Sequence, residues 1–138
     1  MRLLLDTCVL SELQKPQCDA KVRQSIQEMA SNQLFISVIT VGEIVKGIEL
    51  LQESEKKRNL SRWLLSLERD YEDRILPVDL ETTRVWGEQS GAAQKMGKIV
   101  STCDGLIAAT AIRHGLHVMT RNINDFKSMD VMLINPWI

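Results

Sequence analysis

The sequence predicts an α/β fold, a central parallel sheet of about four to five short strands flanked by helices on both faces. Two observations carry that expectation. Short, wholly apolar runs of the kind a buried strand needs alternate with longer segments whose apolar residues recur at helical spacing. The βαβα alternation continues throughout the chain, the pattern of a sheet covered by helices, whose sites form at the carboxyl ends of the strands. With 138 residues, 44% apolar and 25% charged, length and balance predict one domain over residues 1–138 with a core that needs no disulfide or metal staple.

Leu3 to Leu5 is the first strand, and Asp6-Thr7 caps a helix with Val9, Leu10 and Leu13 on its inner face. After the Lys15-Pro16 break, Asp19 starts a second helix with Val22, Ile26 and Met29 on one side, and Leu34-Phe35-Ile36 forms a second strand. Ser37 caps a third helix carrying Val41, Ile44, Val45, Ile48 and Leu51. A charged stretch from Glu53 to Arg58 leads into another amphipathic segment around Trp63, Leu64 and Leu67, which can complete a helical hairpin. Ile75 to Val78 reads as a strand that Pro77 confines to an edge or to its own end. Asp79 caps a helix to about Met96, ended by Gly97, and Asp104 sits at the start of an apolar helix, Leu106 to Ile112, closed by Gly115. His117 to Met119 and Val131 to Ile134 are the last two strands.

Charge and motifs exclude several functions. Seventeen basic against 18 acidic residues give a net charge of −1, so an overall basic coat for nucleic acid or membrane is absent, while a local basic groove remains open. The N-terminal apolar run stops at Asp6, too early for a signal peptide or a membrane span, and the expected location is cytoplasmic, away from the membrane. Cys8, Cys18 and Cys103 form no CxxC pair and read as reduced thiols. His114 and His117, three apart across a glycine, read as a helix end and a strand start. The glycines supply no GxGxxG, Gly42 and Gly47 are followed by Ile48-Glu49 where a phosphate loop needs Lys and Ser or Thr, and GxSxG is missing.

What remains is a set of acids at matching topological places. Asp6 ends the first strand, Glu43 lies on the first turns of the helix after the second, Asp104 opens a helix, and Asn122 with Asp125 follows the Val118-Met119-Thr120 strand. All fall on the carboxyl side of the expected sheet. Each acid taken singly also fits a helix cap or a wetted face, and Glu12 and Glu49 are expected to be solvated. Carboxylates brought together repel unless a cation joins them, and an oxygen-only donor set selects Mg²⁺ or Mn²⁺ over zinc or copper.

Five ordered strings resemble the PIN-domain proteins of the VapC and FitB-like toxin group. They are Leu4-Leu5-Asp6-Thr7-x-Val9-Leu10-Ser11-Glu12, Ser37-x-x-Thr40-x-Gly42-Glu43-Ile44, Asp104-Gly105-Leu106-Ile107-Ala108-Ala109-Thr110-Ala111, Thr120-Arg121-Asn122 and Ile134-Asn135-Pro136-Trp137. The resemblance covers the whole chain. It implies a PIN fold and a Mg²⁺-dependent endoribonuclease, with Mn²⁺ as a substitute, acting as the toxin of a type II toxin–antitoxin pair. It implies that Asp6 and Asp104 hold the metal with Glu43 as the second family acid, and that Asn122 or Asp125 supplies the fourth position, where the family often has Asp. It also implies a homodimer that assembles with a VapB-like antitoxin into a hetero-oligomer.

Two departures accompany the resemblance. Asn122 replaces the frequent fourth Asp, and Cys8 replaces the Asn that usually follows Asp-Thr, a weak thiol donor in place of an amide. Cys8 also fits a small buried apolar side chain. Arg121, Lys95, Lys98 and Arg113 are the candidates for phosphate contacts, each equally readable as a solvated charge. Two other readings stand beside the toxin: a PIN-like module with a weakened site that binds RNA or a partner, and a housekeeping PIN nuclease without an antitoxin.

Overall fold

Successive side chains of a strand point to opposite faces, so three leucines in a row serve two cores at once. The computed structural model describes residues 1–138, and in it β1 (Leu3–Leu5) is buried throughout. Leu3 and Leu5 enter one core with Val9, Leu10, Val22, Ile44, Leu64 and Leu67. Leu4 enters the other with Ile107, Ala108, Ala111, Val118 and Phe126. The first group comes from α1 (Thr7–Leu13), α2 (Ala20–Gln27), α3 (Val38–Glu49) and α4 (Glu55–Asp70). On the opposite face α6 (Thr102–His114) lies on the sheet through its alanine-rich side, and α5 (Leu80–Lys95) packs along α6. Full burial of each large apolar side chain contributes about 1.5–3 kcal/mol, so the two cores fix the sheet between its helical layers.

The remaining strands are β2 (Leu34–Ser37), β3 (Ile75–Leu76), β4 (His117–Met119) and β5 (Leu133–Ile134). Their order is β3-β2-β1-β4-β5 and every pairing is parallel, with Leu3 opposite both Leu34 and His117. The chain moves outward from β1 to β3, then returns through α5 and α6 to place β4 on the other side of β1. That reversal opens a crevice at the carboxyl ends of β1 and β4, the place where parallel sheets bind ligands.

The expected elements are present with local corrections. β3 stops before Pro77 and lies at an edge, as a strand next to a proline must. The last strand is shorter than Val131 to Ile134, because the Val131 N–H turns back to the Met129 carbonyl at 2.9 Å. Two 3-10 turns, Ser31–Gln33 and Ile123–Asp125, are too short to leave a periodic signal. Asp104 does not open its helix: Ser101 is the cap, its Oγ accepting from the Asp104 N–H at 3.2 Å, and Asp104 sits within the first turn. Gly97 and Gly115 have φ of 75° and 68°, the left-handed conformation that ends α5 and α6. His114 and His117 fall at the end of α6 and the start of β4, as their spacing predicts.

Glu12 overturns its expected solvation. It is 9% exposed; its Oε2 accepts from the Asp19 backbone N–H at 2.9 Å and its Oε1 meets Lys15 Nζ at 3.3 Å. Asp19 in turn caps α2 through the Lys21 and Val22 amides. Glu12 therefore fastens the end of α1 to the start of α2, and the Asp19 amide with Lys15 holds its carboxyl below the usual range. A lowered folded-state pKa stabilises above the unfolded value and is lost as pH falls through the folded one. Glu12→Gln is expected to lower the melting temperature at pH 7 while leaving activity in place, with the difference from wild type shrinking in acid; thermal melts at pH 7 and pH 3 check it.

Candidate functional site

Asp6 stands at the end of β1 because its backbone continues the sheet, its N–H donating to the Met119 carbonyl at 3.0 Å, before the chain turns into α1. Asp6 is 6% exposed, and each of its carboxylate oxygens accepts a hydrogen bond. Oδ1 accepts from the Thr7 N–H at 2.9 Å, and Oδ2 accepts from Thr120 Oγ1 at 2.8 Å, with Cys8 Sγ at 3.7 Å from the same oxygen. Thr120 Oγ1 also accepts from the Asn122 N–H at 3.0 Å, which commits its proton to Asp6. The two strand ends at the topological reversal are thus joined by side chains as well as by the ladder.

Glu43 reaches the same place from α3, its Oε1 accepting from Thr7 Oγ1 at 2.8 Å. Burial pushes its carboxyl above the usual range, and the charges of Asp6 and Asp104 add to the rise against the opposing Thr7 hydrogen bond. Burial likewise raises Asp104, with further contributions from Asp6 and Asp125 against the Ser101 hydrogen bond. Glu43 therefore feels the charges of Asp6 and Asp104, and Asp104 those of Asp6 and Asp125. Asn122 has no charge to contribute; like Asp125 it is exposed, and the contact it makes is through its backbone. Of the two candidates for the fourth position, Asp125 is the one whose charge reaches Asp104.

The four acids do not form a closed cage, since no three His, Cys, Asp or Glu side chains come together tightly enough to hold a metal on protein ligands alone. An all-oxygen, open arrangement of mutually repelling carboxylates suits a hard divalent cation that keeps much of its water, as Mg²⁺ does. Beside Glu43, Thr7, Ile44, Ile48, Leu60 and Trp63 line a pocket of about 170 Å³. Leu60 also lines a larger, more polar pocket of about 530 Å³ with Gln14, Lys56 and Asn59. The two pockets share Leu60, the apolar one forming a groove beside Glu43 and the polar one lying farther from it.

Comparison with known proteins agrees with this architecture. The PIN domain family matches residues 3–132. The chain belongs to the PIN domain family. It is 36% identical to Toxin FitB of Neisseria gonorrhoeae, with 98% of each chain covered, and 35% identical to VapC ribonuclease Y4jK of Sinorhizobium fredii, with 98% of this chain and 97% of the relative covered. The solved structure of FitAB bound to the IR36 DNA fragment superposes with a TM-score of 0.91 at 34% identity, covering 99% of this chain and 96% of that one. These likenesses place the protein in the FitB- and VapC-like branch of PIN domains.

Two side chains of this PIN domain, Arg113 and Cys8, differ from their sequence reading, and Arg121 gains an aromatic neighbour. Arg113 is not free for phosphate, because its Nη2 pairs with Asp79 and Glu81, each at 3.1 Å. Arg121 is exposed, with its guanidinium 5.1 Å from the centre of the Trp137 ring. Cys8 is no inert apolar filler: beyond its contact with Asp6 it lies 3.6 Å from Thr120 Oγ1 and accepts from the Arg121 N–H at 3.4 Å. Burial pushes the thiol up, so it stays protonated and able to donate. Thr7 and Thr120 matter more than sequence reasoning allowed; each was part of a recognised string, but nothing in spacing alone assigns a hydroxyl to a carboxylate in another element.

Two expectations follow from this geometry. Cys103 is exposed beside Asp104 and Cys8 touches Asp6, so alkylation of both thiols is expected to suppress activity, Cys103 reacting fast and the protonated Cys8 slowly. Full activity after complete alkylation, verified by mass spectrometry, refutes it. The raised carboxyls also leave a pH signature. A carboxyl with a higher pKa folded than unfolded makes the native state bind more protons, so its contribution falls as pH rises from the unfolded value, about 4, through the folded one. Glu12 and Asp79 are lowered and act oppositely. The effect of Glu43 is therefore read by difference: Glu43→Gln should melt higher, relative to metal-free wild type, at pH 7 than at pH 4.

Proposed function

We propose that this chain, one PIN domain over residues 1–138, is a Mg²⁺-dependent endoribonuclease and the toxin of a type II toxin–antitoxin pair, acting in the cytoplasm. The observation that carries the reading is that Thr7 joins Asp6 and Glu43 by hydrogen bonds at the carboxyl end of β1, with Asp104 in the first turn of α6 near enough for its charge to act on Glu43. Asp6 and Asp104, with Glu43, are the residues that would hold the cation, and Asp125 rather than Asn122 completes the set. The chemistry supplied by a bound Mg²⁺, or Mn²⁺ in its place, is Lewis-acid activation of water and stabilisation of charge on the phosphoryl oxygens. Thr7 and Thr120 orient Glu43 and Asp6. Glu43, with its raised carboxyl at the mouth of the groove, is suited to hold a proton taken from the attacking water. Arg121, steadied by Trp137, offsets the repulsion between the acids and an RNA backbone. Lys95 and Lys98 remain exposed candidates for phosphate contacts further out.

The partner reading has its own support. Val45, Leu50 and Leu65 of the α3–α4 hairpin are 48%, 77% and 64% exposed, more apolar surface than the core requires. An antitoxin segment laid over this hairpin, with its end in the acidic groove, would cover it by the helix-in-groove mode. FitAB offers the precedent of a relative solved as a named pair. A homodimer is part of the same proposal. The Cys8 donor to Asp6 favours a working site over a weakened one. Brief induction in the host, followed by mapping of 5′ ends on total RNA, tests the function: new ends at a few sites and arrested growth are expected, both suppressed by co-expression of the product of the neighbouring small gene. Normal growth with unchanged RNA overturns the toxin reading. In vitro cleavage that survives EDTA overturns the metal.

A further inference from the structure

A close approach between two helices lies directly behind Asp104. Gly105 is buried in α6, and a Cβ placed on it would stand 2.8 Å from Trp86 Nε1, 2.9 Å from Trp86 Cδ1 and 3.5 Å from Ser90 Oγ. A carbon cannot sit that near the indole, so either the ring or the helix has to move. The glycines within α3 and α5, Gly42, Gly47, Gly87 and Gly91, would meet nothing within 4 Å. Gly105 is the helical glycine that packing requires.

Trp86 and Ser90 are one turn apart on α5 and so face α6 together. Ser90 Oγ is buried with no hydrogen-bond partner, so shape rather than polar bonding fixes that contact. The other acids are held differently. Asp6 is tied to Thr7 and Thr120, and Glu43 to Thr7, by hydrogen bonds that cross between elements. Asp104 is engaged by Ser101, the cap of its own helix. Its distance from the other acids therefore depends on where the first turn of α6 comes to rest, and Gly105 is in that turn.

We propose that Trp86 and Ser90, seated on Gly105, are positioning residues that set how far Asp104 stands from Asp6 and Glu43, and through that distance the fit of the site to a divalent cation. The inference rests on the metal-dependent reading above. A Cβ at position 105 drives the first turn of α6 away from α5 or displaces the indole that acts as its stop. In either case the Asp104 carboxylate leaves its place while its chemistry is unchanged.

The test uses the full chain with Mn²⁺ alone as probe, its binding followed by electron paramagnetic resonance, and RNA cleavage measured separately. Gly105→Ala should weaken Mn²⁺ binding about tenfold and lower kcat by up to about 10²-fold, the penalty for roughly 1 Å of misplacement, with KM for RNA little changed. Gly105→Ala combined with Trp86→Leu, whose shorter and flexible side chain vacates the place of Nε1 for the methyl group, should recover most of both. Trp86→Ala removes the stop without adding bulk and should also weaken Mn²⁺ binding, which keeps the proposal open to refutation if Gly105→Ala fails to fold. Wild-type Mn²⁺ affinity in folded Gly105→Ala or in Trp86→Ala overturns it, as does a folded double variant that recovers nothing. A wild-type protein that neither binds Mn²⁺ nor cuts RNA overturns the metal-dependent reading itself, and this inference with it.

Discussion

Asp104→Asn is expected to reduce RNA cleavage by more than about 10²-fold, beyond the loss typical of a group that merely supports a metal ligand, while the metal-free protein melts at the same temperature or higher. The amide keeps the size of the side chain and removes one of the charges that Asp6 and Asp125 oppose. Ser101 continues to cap α6 through the Asp104 backbone N–H, which the substitution leaves intact. The Ser101 hydrogen bond to the side chain can pass to the amide oxygen, so relief of repulsion favours the folded state. Cleavage assays with a metal-free melt decide the matter: lost activity with a lowered melting temperature would make Asp104 a structural group whose removal loosens the helix.

Asp6→Asn is expected to lose as much activity and, unlike Asp104→Asn, to lose stability as well. Sequence alone suggests that the two variants behave alike; the hydrogen bonds separate them. Both oxygens of Asp6 accept, one from the Thr7 amide and the other from Thr120 and Cys8. An amide can present an oxygen to only one side, so a donor faces a donor on the other in a buried place, at a cost of about 1–3 kcal/mol. Loss of like-charge repulsion offsets part of that cost. Melting in metal-free buffer should rank Asp104→Asn at or above wild type and Asp6→Asn several degrees below it. Equal melting temperatures for the two variants would refute the assignment of Asp6 as both site acid and structural clasp.

That contrast shows how far sequence carries the argument. Strand and helix identities were legible because periodicity and caps are local: Leu3 to Leu5, the Ser37 cap, the glycines closing α5 and α6. The acids were legible because βαβ topology puts strand ends on one edge, which brought Asp6, Glu43 and Asp104 together before any coordinates. Partners were not legible. Glu12 looked like a wetted acid on a short helix, yet it serves the amide of Asp19 seven residues away. Arg113 looked available, yet Asp79 and Glu81 claim it across a loop. Cys8 reads as filler because a thiol usually is, whereas its neighbours Thr120 and Arg121 lie more than a hundred residues along the chain. Hydrogen-bond pairing between distant elements is set by the packed geometry, and residue types at a spacing do not encode it.

The placement of β1 in the middle of the sheet also sets a clock for biosynthesis. Asp6 is made well before the rest of its site: the hydroxyl that clasps it belongs to Thr120, and Asp104 comes shortly before that. At translation rates of about 5–20 residues per second, a growing chain passes roughly 6–23 seconds between its first site acid and the strand that completes the crevice. Until then β1 has its β2 neighbour and no β4, and a truncated product carries acids without a site. A nascent chain that stops short of Thr120 thus carries Asp6 without the hydroxyl that clasps it.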